Sequence, residues 1–297
     1  MRFRSALHDA ACYLLVVDDT PAGEFTAACA AGAFSFEDGV KIVKARGSAM
    51  AAAAAESEGG MVAVTAAAAG HQVLKTEFGG KLVPANVLAE GVVVYAGRVS
   101  DCNRLLAFCD EFMKRGQVRA RASRVAVAGA FHTPMMQVCS RCSPLLATST
   151  PCLMLSTFAL RVCIFKSAKT AFDPVLNTIL DLPPNSTGTD LLPLHAPLVS
   201  SDGTTLRCKR AVAQSLSRQM TSPVRFDLIC ARMAAIAAEV ADAQCKVDVV
   251  EFSPRASLGP LLLRAWKENQ IRRRPQQQQQ QELEEDIGKM RVAHFCG

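Results

Sequence analysis

The chain is 297 residues long, half of them apolar, with a net charge of +6 and twelve cysteines. That length and apolar share suit one large domain or two smaller ones around a sizeable core. No apolar run reaches the roughly 18–20 residues of a membrane-crossing helix, and no aromatic-interleaved basic stripe accompanies the charge, so neither a membrane nor a nucleic acid is an expected partner.

The cysteines are scattered through apparent helices and strands, a pattern of free thiols rather than of a disulfide framework. Cys139 and Cys142 form a C-x-x-C pair, yet no second pair stands at zinc spacing. No metal and no cofactor are expected.

In chain order, Arg2 and Arg4 precede the apolar stretch Ala11 to Val17, which hints at a targeting signal; His8, Asp9, Asp18 and Asp19 oppose it. Ser35-Phe36-Glu37-Asp38 begins a helix, with a hydroxyl cap and two acids in the first turn. Phe36, Val43 and Met50 repeat at heptad spacing, and Gly59-Gly60 ends the segment. Arg46 falls three after Val43 and four before Met50, beside that stripe. A guanidinium there suits a bidentate carboxylate partner; the alternative is a snorkelling arginine paired with a local acid.

Met61 to Thr65 and Gly91 to Tyr95 are β-branched-rich strand candidates, and Asp101 to Arg115 has helical apolar spacing. Arg124 to Ala128 alternates like a strand running into a turn. His132, one of five histidines, then stands just past a strand's C-terminal end. Ligands and catalytic groups collect there in α/β architectures. The alternative is a histidine packed in the core. Residues 137–195 are rich in Cys, Ser, Thr and Pro and show no clear period. Asp227 to Val240 reads as a helix and Val247 to Phe252 as a buried strand. Residues 268–297 carry Arg272-Arg273-Arg274, the glutamines Gln276 to Gln281 and an acidic block, and read as an exposed or disordered extension.

Several of these pieces resemble one family. Gly129-Ala130-Phe131-His132-Thr133-Pro134-Met135-Met136 resembles the GAFHS-P-[LM]-M motif of malonyl-CoA:acyl-carrier-protein transacylases. Gly23-Glu24-Phe25-Thr26-Ala27 resembles the tail of that family's GHSxGE-[YF]-TA motif. Phe34 to Gly39, with Arg46-Gly47-Ser48-Ala49-Met50, resembles its SFEDA…V..RG..M segment. Gly60-Met61-Val62-Ala63-Val64, Ala85-Asn86-Val87, Val94-Tyr95-Ala96-Gly97 and Gln219 to Phe226 follow in the family's order.

The resemblance implies an α/β fold: an α/β-hydrolase-like acyltransferase subdomain over 22–57 and 123–267, with a ferredoxin-like subdomain inserted at 58–122. It implies malonyl transfer from malonyl-CoA, through a serine acyl-enzyme, to the pantetheine thiol of acyl carrier protein in fatty acid biosynthesis. A serine hydroxyl needs a nearby imidazole to take its proton. The resemblance gives that part to His132, oriented by the backbone carbonyl of Gln219. It makes Arg46 the anchor of malonyl's free carboxylate, with Met50 and Phe131 lining the substrate site. Phe131 favours malonyl over methylmalonyl. A monomer is expected, in mitochondrion or plastid by resemblance and otherwise in the cytoplasm.

The chain also departs from the family. Pro21 occupies the nucleophile slot, three residues before Glu24, and proline has no hydroxyl. Thr20 is one residue off, behind Asp18 and Asp19, whose charge would oppose an oxyanion. Residues 1–21 match nothing in the family, and no Gly-Gln-Gly loop occurs. Residues 137–195 stand as an unmatched insert where the family has a helix beside the active site. The EVGPG turn becomes Glu251-Phe252-Ser253-Pro254-Arg255. These departures open two alternatives: an inactive acyltransferase-like protein that binds acyl carrier protein, or the product of misassigned exon boundaries.

Overall fold

The computed structural model describes residues 23–115, 120–136, 168–180, 193–241, 247–252, 260, 263 and 290–295. Pro21, Thr20, the Cys139–Cys142 pair and the polyglutamine run lie outside them.

Helix α1 spans Gly23–Ala30 and helix α2 Phe36–Ala55. Ser35 caps α2 as its sequence requires: the Ser35 hydroxyl accepts the Asp38 N–H at 3.1 Å and donates to the Asp38 carboxylate at 2.7 Å. That exchange satisfies one donor of the helix's open first turn. The heptad stripe needs correction. Met50 is buried, but Phe36 is 79% and Val43 40% exposed. Ile42, Ala49 and Ala54 are buried with Met50 instead. The buried face is therefore rotated from the heptad line, because small alanines, not only large apolar residues, mark where α2 packs closely.

The chain divides into two compact units, one comprising 1–40, 179–216 and 224–297, the other 41–178 and 217–223. In the latter, strand β1 (Gly59–Ala66), helix α3 (Ala68–Phe78), strands β2 (Leu82–Ala89) and β3 (Val92–Arg98), helix α4 (Val99–Lys114) and strand β4 (Ala120–Val125) follow in sequence. The strands lie in the order β4-β1-β3-β2, with every one of these pairs antiparallel. A β-α-β-β-α-β run in this order is the ferredoxin-like arrangement. The strand and helix expectations over 61–65, 91–95 and 101–115 fall on β1, β3 and α4. The expected strand at 124–128 is shorter: β4 ends at Val125.

Strand β1 is apolar on both faces, so it occupies the sheet's interior. One face presents Val62, Val64 and Ala66 to Leu74 and Phe78 of α3 and to Cys102, Leu105 and Cys109 of α4. The three α4 residues are spaced by three and four, one helical stripe. Each large side chain buried there stabilises the unit by about 1.5–3 kcal/mol. Met61, Ala85, Val94 and Ala96 line a second cluster, which Ala130, Phe131 and Met135 join. The loop around His132 is therefore part of the sheet's packing.

Helix α5 (Ala168–Ile179) belongs to this unit over all but its last residue. It corrects the reading of 137–195 as a run without period. Ala168, Phe172, Leu176 and Leu180 are buried at a regular spacing of four, a stripe that the surrounding Cys, Ser and Pro residues obscure in the sequence.

In the other unit, strands β5 (Pro193–Val199) and β6 (Thr205–Cys208) pair antiparallel around a turn in which the Asp202 carboxylate accepts the Thr204 N–H at 3.1 Å. Helix α6 (Lys209–Gln219) follows, belonging to this unit up to Leu216 and to the unit of residues 41–178 from Ser217 on, then the short strand β7 (Val224–Arg225) and helix α7 (Phe226–Ala241). Both α1 and α7 pack against β5. Strand β8 (Val247–Phe252) then pairs in parallel with β9 (Met290–Phe295). That pairing corrects the reading of 268–297 as wholly extension. Six residues after the charge block form a strand, a signal too short to stand out beside polyglutamine.

Glu24, in the first turn of α1, is buried in this unit. Its carboxylate accepts the Ser215 hydroxyl at 2.5 Å and the Ser201 N–H at 3.2 Å. A carboxylate near a helix N-terminus is favoured by the dipole, and these donors offset its desolvation. The sequence marks Glu24 only as part of a motif; its partners, far along the chain, come from the fold.

Candidate active site

His132 sits on a loop that begins where β4 leaves the sheet. The Val127 N–H donates to the Val125 carbonyl at 2.9 Å, a tight reversal that ends strand pairing. The chain then squeezes past α2 and β1. A Cβ on Gly129 would lie 2.8 Å from that of Ala54, and one on Gly59 only 2.5 Å from the Ala130 nitrogen. Glycine is needed at both places for close approach.

Thr133 locks the turn. Fully buried, its hydroxyl donates to the Ala130 carbonyl at 2.6 Å and accepts the Met135 N–H at 3.2 Å. A 3-10 turn over Pro134–Met136 follows, with the Met136 N–H on the Thr133 carbonyl at 3.0 Å. Between these restraints His132 adopts φ 59°, a left-handed conformation uncommon outside glycine. Such backbone persists only where its surroundings over-determine it, and it clusters at functional sites.

The imidazole is 5% exposed. Its Nδ1 lies 2.7 Å from the Gln219 carbonyl oxygen. A carbonyl only accepts, so Nδ1 carries the proton and Nε2 presents a lone pair. Burial lowers the His132 pKa to about 4; the Gln219 bond opposes the shift and the Arg46 charge adds to it. His132 is therefore a neutral imidazole of fixed tautomer at neutral pH.

Gln219 is the last residue of α6, where backbone carbonyls lack intrahelical partners. The sequence reading gave a part only to its backbone. The structure adds its side chain: Gln219 Oε1 accepts a guanidinium N–H of Arg46 at 3.4 Å. One glutamine thus touches both His132 and Arg46. Arg46 is half-buried, and Met50 is buried one helical turn beyond it. Phe131 packs with Met61, Ala85 and Val94.

The arrangement unites a neutral acceptor nitrogen with a cation. Arg46, His132 and Gln219 are brought together from residues 173 and 87 positions apart. Thr133, Gly59 and Gly129 hold the loop but were not singled out as site residues. Thr133 and Gly129 stand within the His132 motif, and that was the available signal. Among the described residues, no group of three His, Cys, Asp or Glu side chains is placed to hold a metal ion. No described helix is long and apolar enough to cross a membrane.

No family model matches the chain. Over 250 residues, covering 84% of the chain, it is 27% identical to the malonyl CoA-acyl carrier protein transacylase of Mycolicibacterium smegmatis, of which it spans 69%. The crystal structure of MCAT from Mycobacterium tuberculosis aligns with 82% of the chain and 63% of its own, at a TM-score of 0.56 and 26% identity. A malonyl-transacylase in complex with a type II polyketide-synthase acyl-carrier protein matches 99% of the chain and 72% of its own, with a TM-score of 0.63. At 19% identity, that likeness speaks for the fold alone. The chain spans about two thirds of the length of these relatives. The motifs, their order along the chain and the fold agree in making the chain similar to malonyl-CoA:acyl-carrier-protein transacylases.

Proposed function

We propose that this site accepts a malonyl group from malonyl-CoA and passes it to the pantetheine thiol of an acyl carrier protein. One observation carries the reading: a buried, neutral His132 whose Nδ1–H is committed to Gln219, so that only Nε2 is left to take a proton. In this reading Nε2 accepts the proton of an attacking hydroxyl, which a residue other than Pro21 must supply, as the thioester carbonyl becomes tetrahedral, then returns it to the departing thiolate. The pantetheine thiol reverses the sequence in the second half-reaction.

Arg46 supplies the selectivity. Its bond to Gln219 Oε1 is long, so a malonyl carboxylate that offers two oxygens to the guanidinium fork displaces it. Met50 and Phe131 form the apolar side of the same site. Phe131 disfavours a methyl-branched extender, by the roughly 1–3 kcal/mol that one methyl group is worth in a pocket. Mitochondrion or plastid is the proposed compartment, and fractionation of the tagged protein tests it.

A second reading follows from Pro21. A chain whose nucleophile slot holds proline keeps the base and the anchor and binds malonyl-CoA or acyl carrier protein without transfer. The intact mass of the full chain after incubation with malonyl-CoA separates the two. A malonyl adduct that His132→Ala abolishes supports transfer, and peptide mapping then identifies the nucleophile, with Thr20 the first to inspect. A folded protein that binds malonyl-CoA through Arg46 yet gains no mass supports the second reading. No binding and no adduct would reject both.

A further inference from the structure

Helix α5 carries a polar group that the proposed chemistry does not use. The Lys169 ammonium, in its first turn, donates to the Asp173 carboxylate at 2.7 Å and also to the Ser217 hydroxyl. Asp173 lies one turn along the same helix, so the ion pair orients the lysine rather than joining distant segments. Ser217 is the distant partner, 48 positions away and buried in the last turn of α6. Two residues further on, Gln219 turns its carbonyl to His132 Nδ1.

We propose that Lys169 is a positioning residue for His132: anchored by Asp173, it holds Ser217 and so fixes the end of α6 that presents the Gln219 carbonyl. The proposal rests on the reading of His132 as the base.

Three physical points support it. The last turn of a helix frays most readily, because its final carbonyls have no partners within the helix. A lysine there both hydrogen-bonds and complements the negative end of the dipole. Burial of Phe172 and Leu176 fixes α5 as the platform from which Lys169 reaches. His132 also has its own demand for a rigid acceptor. At φ 59° its backbone is strained, and its ring orientation depends on the one bond to Gln219. An acceptor that wandered would release the imidazole tautomer, since among the described residues the Gln219 carbonyl is what holds Nδ1.

The test uses the full chain labelled with 15N-imidazole histidine, in which His132→Ala assigns the His132 signal. The wild type is expected to show an Nδ1–H tautomer that exchanges slowly with water. Lys169→Met is expected to speed that exchange about tenfold, the scale of one lost hydrogen bond, and to lower the His132 titration midpoint further, because the Gln219 bond holds it up. Ser217→Ala should do the same, the double variant should add nothing, and Lys169→Arg should restore the wild-type spectrum.

A Lys169→Met protein with unchanged His132 exchange and midpoint overturns the proposal, even if its melting temperature falls, because Lys169 is then only a helix salt bridge. If the wild type itself lacks the Nδ1–H tautomer, the reading of His132 as the base fails first. That result is separate from the response to Lys169.

Discussion

His132 Nδ1 and the Gln219 carbonyl oxygen are 2.7 Å apart, though the two residues stand 87 positions apart in the chain. This single bond selects the imidazole tautomer, and it joins the loop after β4 to the end of α6. The same glutamine reaches Arg46 through its side chain. Gln219 thus serves His132 through its backbone and Arg46 through its side chain.

Acid sensitivity follows from the buried imidazole. Its folded pKa, about 4, lies below the ordinary 6.5. Between those values the unfolded chain takes up a proton that the folded chain refuses. Unfolding is thus favoured as pH falls through this window, and the stability is fully present only above about pH 6.5. Urea unfolding at pH 7 and pH 4 should show a loss on the order of 3 kcal/mol from this group, absent in His132→Gln. Equal pH dependence in the two proteins would rule out a buried neutral His132.

Gln219→Ala keeps the backbone carbonyl and removes Oε1. The His132 tautomer should survive, while the Arg46 side chain loses an acceptor. Calorimetric titration with malonyl-CoA should then show affinity little changed, since the carboxylate replaces Oε1. Arg46→Lys, by contrast, loses the two-pronged donor and should weaken binding by about ten- to a hundredfold. Equal binding by Arg46→Lys would remove Arg46 from the anchoring role.

The loop's clearances give a packing prediction. Gly59→Ala directs a methyl group to within 2.5 Å of the Ala130 backbone nitrogen. Backbone cannot swing aside as a flexible side chain can, so the cost should reach about 1–3 kcal/mol in chemical denaturation. Gly47→Ala is the control, because its added Cβ meets nothing within 4 Å and α2 gains helix propensity there.

Thr133→Val replaces a hydroxyl with a methyl of similar shape. It leaves the buried Ala130 carbonyl and the Met135 N–H without their Thr133 partner. The expected destabilisation is about 1–3 kcal/mol, with faster hydrogen exchange at Met135. Thr133→Ser should retain both bonds. If valine proves as stable as serine, the hydroxyl does not hold the turn.

Cys109 is buried in the apolar stripe of α4, and burial pushes its thiol up to about 11. Cys230 on α7 is likewise buried, its thiol pushed up to about 12. Neither should react with a thiol reagent at pH 8 in the folded chain. Mass mapping of labelled peptides, before and after denaturation, checks this.

Much of the molecule was legible in its residues. The start of α2 follows from Ser35 and Asp38, whose exchange of hydrogen bonds is local. Strands β1 and β3 and helices α4 and α7 follow from periodic apolar patterns, since burial needs one face of an element to repeat. Helix α5 was hidden because three of its turns stand inside a long irregular run, and β9 because six residues follow polyglutamine. The heptad on α2 misled because spacing identifies a face without saying whether anything covers it.

The sequence by itself determined the family motifs, the identities of His132 and Arg46, and the local elements whose signals lie within a few residues. Tertiary structure alone decided that Gln219 joins both, that Lys169 reaches Ser217, and that Glu24 has buried donors. The reason is physical. A cap or an amphipathic stripe is set by neighbours along the chain. A tautomer, a desolvated pKa and a close backbone passage arise only when segments distant in sequence exclude water from the same place.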